Sequence, residues 1–116
     1  MAVLPVQTAV PATAPVFATA SVGGDEFENS GAPFLLITAS SPKTMTVLSP
    51  HAGLPNLSIP IATGGTISNR FDPLRWNDPA TGRVRVTFNS VVGVTLAAVR
   101  VVLLGFDPLV DGYDPF

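Results

Sequence analysis

The chain has 116 residues and no cysteine, which is one domain's length, ample for a core, and rules out a disulfide framework or a thiolate metal site. Only 12% of its residues are charged, against roughly 25% in a typical soluble domain, and the six Lys and Arg form no run. With a net charge of −2, the basic footprint of nucleic-acid binding is missing, and the scarcity of charge predicts that neighbouring molecules cover part of the surface.

No charge precedes Asp25, but Pro5, Pro11 and Pro15 interrupt the early apolar stretch and no Lys or Arg lies near the start. A classical export signal is therefore not expected. Residues 1–13, "MAVLPVQTAVPAT", read as an extended N-terminal arm, because Pro excludes a helix. The arm is either disordered or laid along another surface, and Val3, Leu4 and Val6 favour contact.

The body, 14–104, reads as short strands. "APVFATA" (14–20) is a candidate first strand, followed by a turn-rich polar segment, 21–33. "FLLITAS" (34–40) is a strand with "TMTVLS" (44–49) as its expected hairpin partner. "LSIPIA" (57–62) contains Pro60 and is expected at an edge or a bulge, and "TGGT" (63–66) is expected to turn. "FDPLRWNDPATG" (71–82) is irregular, with two Asp-Pro turn starts. "RVRVTF" (83–88) alternates cleanly, and "VGVTLAAVRVVLL" (92–104) is the last and longest strand. The run 91–106 is too short, and cut by Arg100, for a membrane helix. Short strands with frequent turn signals predict an all-β fold: a single β-sandwich, jelly-roll-like or barrel domain.

The last strand has an unusual pattern. Val94, Leu96, Ala98 and Arg100 alternate with Thr95, Ala97, Val99 and Val101, so both faces are largely apolar. A free sandwich keeps its outer faces polar. Val99, Val101 and Leu103 are therefore candidate interface residues, the alternative being burial inside a closed barrel or beneath a loop.

Little points to catalysis. His51 is the single histidine, in the turn-rich "SPHAGLP", without a recognisable nucleophile or a second ligand, so no enzymatic role is expected. Asp25, Glu26 and Glu28 cluster beside a Gly-Gly turn and read as a solvated turn, not a metal site. Trp76, flanked by Arg75 and Asn77, reads as a loop anchor or interface residue ahead of a sugar platform. No cofactor is expected.

An aromatic–Asp–Pro–apolar unit occurs three times: "FDPL" at 71–74 and 106–109, and "YDPF" at 113–116. Asp bonds the backbone ahead of it and Pro sets the chain direction, so each unit is a preformed hook. The first is expected to pin its loop to the body. The other two make residues 105–116 a second arm, anchored by Phe106, Leu109, Tyr113 and Phe116, with a tail folded on its own subunit as the alternative.

Four stretches, "GGDEFENSGAPFLLI", "TMTVLSP", "FDPLRWND" and "GRVRVTFNSVVGVTLAAVRV", together resemble a family of small all-β structural proteins of tailed bacteriophages. The resemblance covers roughly residues 20–101, leaves both arms outside, and contains no active-site signature. It implies a virion component and, within that class, a capsid decoration (cement) protein. Such a protein would be made in the host cytoplasm, bind the major capsid protein on the outer shell, and assemble with itself, with a trimer favoured. A tail or head–tail connector component, and a carbohydrate-binding β-sandwich using Trp76, are the rival readings.

Overall fold

A computed structural model describes residues 1–10 and 12–101. Alternation builds its sheets: in Arg83–Phe88, Val84 and Val86 are fully buried while the intervening arginines are turned away from the core. The described strands, in chain order, are β1 (Ala2–Val3), β2 (Val6–Ala9), β3 (Ala18–Thr19), β4 (Asp25–Glu28) and β5 (Phe34–Ala39). They continue with β6 (Lys43–Val47), β7 (Leu57–Ile61), β8 (Gly64–Ile67), β9 (Arg83–Phe88) and β10 (Val94–Val101). One helical turn, α1 (Pro73–Trp76), precedes β9.

The fold is all-β, with two mixed sheets of five strands each. The first runs β1-β4-β9-β6-β7; the second runs β2-β10-β5-β8, with β3 also paired to β10. One core lies between them. Phe27, Met45, Val47, Ile61, Val84 and Val86 from the first sheet meet Leu35, Ile37, Ala39, Val94, Leu96 and Ala98 from the second. Each large side chain removed from water here contributes on the order of 1.5–3 kcal/mol.

The N-terminal residues differ from the expected arm. β1 pairs in parallel with β4 and β2 in parallel with β10, so residues 2–9 join both sheets of their own chain. Leu4, at the crossing, is only 4% exposed and belongs to the core. The surface this segment lies on is its own sandwich, because β4 and β10 leave it unpaired backbone edges and the core takes Leu4.

Four other local expectations change. β5 and β6 do not form a hairpin: β5 pairs with β10 and β8, and β6 with β7 and β9. The linker between them passes from one sheet to the other. Its ends are held by other turns, Ser40 N–H donating to the Gly93 carbonyl and Thr44 N–H to Asn89 Oδ1. "TGGT" is no simple turn, since Gly64–Ile67 form the strand β8 on β5. The polar segment before residue 29 contains β4, whose Phe27 is fully buried against β9. Within 14–20 only Ala18–Thr19 is strand. The expected edge strand with Pro60 is β7, the last strand of its sheet. Residues 102–104 of the expected last strand, and the whole 105–116 arm, lie outside the described residues.

Candidate interaction surfaces

The two sheets turn different outer faces to their surroundings. On the first, strand alternation presents Glu26 and Glu28 beside Arg83 and Arg85 of the neighbouring strand. Arg83 Nε donates to Glu28 at 2.9 Å, and its NH1 to Glu26 at 3.2 Å. The Glu28 hydrogen bond is the main cause raising the Arg83 guanidinium above its ordinary pKa, opposed by desolvation and aided by Glu26. Arg85 lies 4.0 Å from Asp78. Thr44, Thr46 and Thr87 complete a polar face.

The second outer face carries no Asp, Glu, Lys or Arg among the described residues. It consists of Gln7 and Ala9 on β2, and of Thr95, Ala97, Val99 and Val101 on β10. Phe34, Leu36 and Thr38 of β5, and Gly65 and Ile67 of β8, complete it. The hydroxyls of Thr38 and Thr95 bond across the strand pair. Ala97 and Val99 are already covered within the chain, whereas Ile67 is 71% and Phe17 is 38% exposed. Phe17, Leu36, Thr38, Gly65 and Ile67 line a shallow depression of about 280 Å³. Its floor is open because Gly65 has no side chain, and no atom lies within 4 Å of the place a Cβ would take.

The expected interface residues divide accordingly. Val3 and Val101 are about half exposed, and Val6 is partly buried. Leu4 and Val99, at 4% and 2% exposure, are interior residues of this chain and do not present themselves to a partner. Leu103, Phe106, Leu109, Tyr113 and Phe116 lie outside the described residues. Trp76 packs against the core, and the Arg75 guanidinium covers its ring at 3.8 Å from the centroid. It thus acts as a loop anchor, with one face already occupied.

The first aromatic–Asp–Pro unit shows how the hook is built. Phe71 is buried and meets Phe27 with ring centroids 5.8 Å apart. Asp72 caps the following turn, its Oδ1 accepting from Leu74 N–H at 3.0 Å, and Pro73 starts the turn where no donor is needed. Leu74 points outward at 87% exposure, so of the unit's two apolar residues only the aromatic enters the core. Asn29 completes the attachment. Its Nδ2 donates to the Phe71 carbonyl and to Asn77 Oδ1, and Asn77 Nδ2 donates back to the Asn29 carbonyl at 2.7 Å. The "ENSG" and "RWND" stretches, far apart in sequence, therefore meet.

His51 serves the same loop system. Its Nε2 is 2.8 Å from the Leu74 carbonyl, which can only accept, so Nε2 carries the proton. Arg75 donates to Ser49 Oγ and to the Pro55 carbonyl, tying the 49–56 loop to α1. These contacts place His51 as a brace.

The acidic cluster is taken apart by its strand. Asp25 points inward at 1% exposure, while Glu26 and Glu28 point outward to Arg83. Asp25 Oδ2 accepts from Ser21 N–H, holding the Gly-Gly turn; Oδ1 has no partner among the described residues. No group of three or more His, Cys, Asp or Glu there is arranged to hold a metal.

Sequence reasoning named the strand-10 part of the second face and missed Phe17, Leu36, Gly65 and Ile67. Alternation in "FLLITAS" carried the signal for Leu36; Gly65 and Ile67 were hidden because "TGGT" reads as a turn. Among the described residues, no helix is long and apolar enough to cross a membrane. Compared with known proteins, the chain matches no family model, no curated protein and no solved structure.

Proposed function

We propose that this chain is a non-enzymatic virion structural protein of a tailed bacteriophage: a capsid decoration, or cement, protein that binds the outer capsid surface and bridges neighbouring capsomers. The observation that carries this reading is the uncharged, partly exposed apolar face of the second sheet, opposite a face laced with ion pairs. A monomer has little use for such a face, whereas a subunit of a shell buries it. The motif resemblance to small phage structural proteins supplies the shell as the partner. The partners are then the major capsid protein and further copies of the chain, with a trimer favoured. Individually weak contacts, repeated over neighbouring capsomers, stabilise the shell through effective concentration.

The test is co-sedimentation of the purified full-length chain with capsids of its own phage assembled without it. Pelleting that saturates at a fixed ratio of chain to capsid subunit, with an increase in the temperature at which the shells open, is the expected result. A chain that stays in the supernatant over undecorated shells overturns the reading.

A further inference from the structure

β7 and β8 are each the last strand of their sheet, and together they flank a cleft of about 360 Å³. A strand at the end of a sheet offers unpaired N–H and C=O groups to any chain that comes alongside, and proteins commonly guard such an edge with a charge or a proline. The two edges differ in this respect.

On β7 the guard is present. Asn89 N–H donates to the Thr44 carbonyl and Leu48 N–H to the Arg85 carbonyl, so these residues of β6 bond towards β9. Alternation then leaves Met45 and Val47 to bond with their β7 partners, Ile59 and Leu57. Ser58 and Pro60 therefore turn their backbones to the free edge, where Pro60 has no N–H to offer.

On β8 the guard is missing. Ser68 N–H donates to the Leu35 carbonyl, so alternation turns the backbone of Thr66 towards β5 as well. The N–H and C=O groups of Gly65 and Ile67 are left on the free edge. From Thr63 to Asn69 there is neither a charge nor a proline. Gly65 and Ile67 are both exposed, Ile67 at 71%.

This edge is complementary to itself. Laid antiparallel against a second copy and centred on Thr66, Gly65 of each strand meets Ile67 of the other, and every outward group exchanges a hydrogen bond. Centring on Gly65 or Ile67 instead leaves one outward residue of each strand facing beyond the other strand's end. In the favoured register each Ile67 side chain lies beside a glycine. No atom of the chain lies within 4 Å of the place a Gly65 Cβ would take, so there is room for it. The strand is uncharged and brings no like charges together.

We propose that β8 pairs antiparallel with β8 of a second copy, across a two-fold axis through Thr66, and joins the two second sheets into one continuous sheet. The uncharged outer faces then run on from one subunit to the next. The contact makes pairs, is additional to the three-fold assembly favoured above, and does not rest on the capsid reading.

The absence of cysteine permits a direct test by cross-linking. Thr66 faces its own counterpart at a non-hydrogen-bonded position, with Cα atoms about 4.5 Å apart, within reach of a disulfide. Full-length Thr66→Cys is oxidised mildly and run on a denaturing, non-reducing gel beside Ser58→Cys, which lies on the guarded edge. A covalent dimer is expected from the first alone, with a wild-type mass in solution that rises with concentration. Ile67→Pro copies onto β8 the guard that Pro60 gives β7, and should raise the dissociation constant of the pair about tenfold or more. Circular dichroism is the folding control, and Ile67→Lys takes its place should it misfold. A wild type that is monomeric at all concentrations overturns the proposal. So does a Thr66→Cys chain that cross-links no more than Ser58→Cys, or a folded edge variant that pairs like the wild type. A monomer whose Ile67 N–H is nevertheless protected from hydrogen exchange shows that the chain covers its own edge, and overturns it too. A monomeric wild type that still pellets with capsids removes this inference and leaves the decoration reading standing; cross-linked pairs that ignore capsids do the reverse.

Discussion

The outer faces of the two sheets come from similar strands and have opposite chemistry. Around Arg83, carboxylates and guanidinium groups satisfy one another across β4 and β9. Around Leu36, Thr38 and Ile67 there is no charge, and the most prominent polar contact is a pair of threonine hydroxyls. Both sheets bury their inner faces equally well, so the difference is not a requirement of folding. A solvated face tolerates water on every side chain, whereas an exposed apolar face of comparable size marks a surface that a neighbour covers. On the proposed reading, the contrast puts the interface on one side of the molecule.

This contrast presupposes a single core laced by the N-terminal residues, and the largest effect tests that premise. Leu4→Ala should lower stability by about 2–5 kcal/mol, read from the urea midpoint. A free arm would leave the midpoint unchanged. Next in size, Asn29→Ala removes bonds to Phe71 and Asn77 and strands their partners, and should cost about 1–3 kcal/mol. Its thermal unfolding should show a less protected 71–82 loop by hydrogen exchange, while the strands stay protected.

The two faces themselves are separated by a matched pair of surface substitutions. Ile67→Lys should leave monomer stability within about 0.5 kcal/mol and weaken assembly at least tenfold, as seen by analytical ultracentrifugation. Arg83→Ala should do the reverse, leaving assembly intact and lowering the thermal midpoint only slightly, by still less at high salt. Equal effects of the two substitutions on assembly would dissolve the distinction between the faces.

Much of the architecture was legible in residue patterns. β9 follows from strict alternation, β7 from Pro60 at an edge, and the all-β class from the spacing of turns. Patterns failed where long-range pairing overrode local chemistry. β4 was obscured by its acids, because Glu26 and Glu28 are outward-facing partners of an arginine that lies 55 and more residues away. β8 was obscured by two glycines, which form a strand here because β5 supplies the ladder. The β5–β6 hairpin failed because adjacency in sequence says nothing about which sheet a strand joins once the linker turns a sandwich corner.

The sequence by itself determined that the chain is all-β, poor in charge, and apolar on both sides of its last strand. Those properties depend on residue type and period, which are local. Only the tertiary structure decided that Leu4 and Val99 are interior, that "ENSG" and "RWND" interlock, and that Phe17, Gly65 and Ile67 shape one depression on one face. Each of these depends on which strand lies beside which, and that is settled by how the whole set of apolar faces closes on one core.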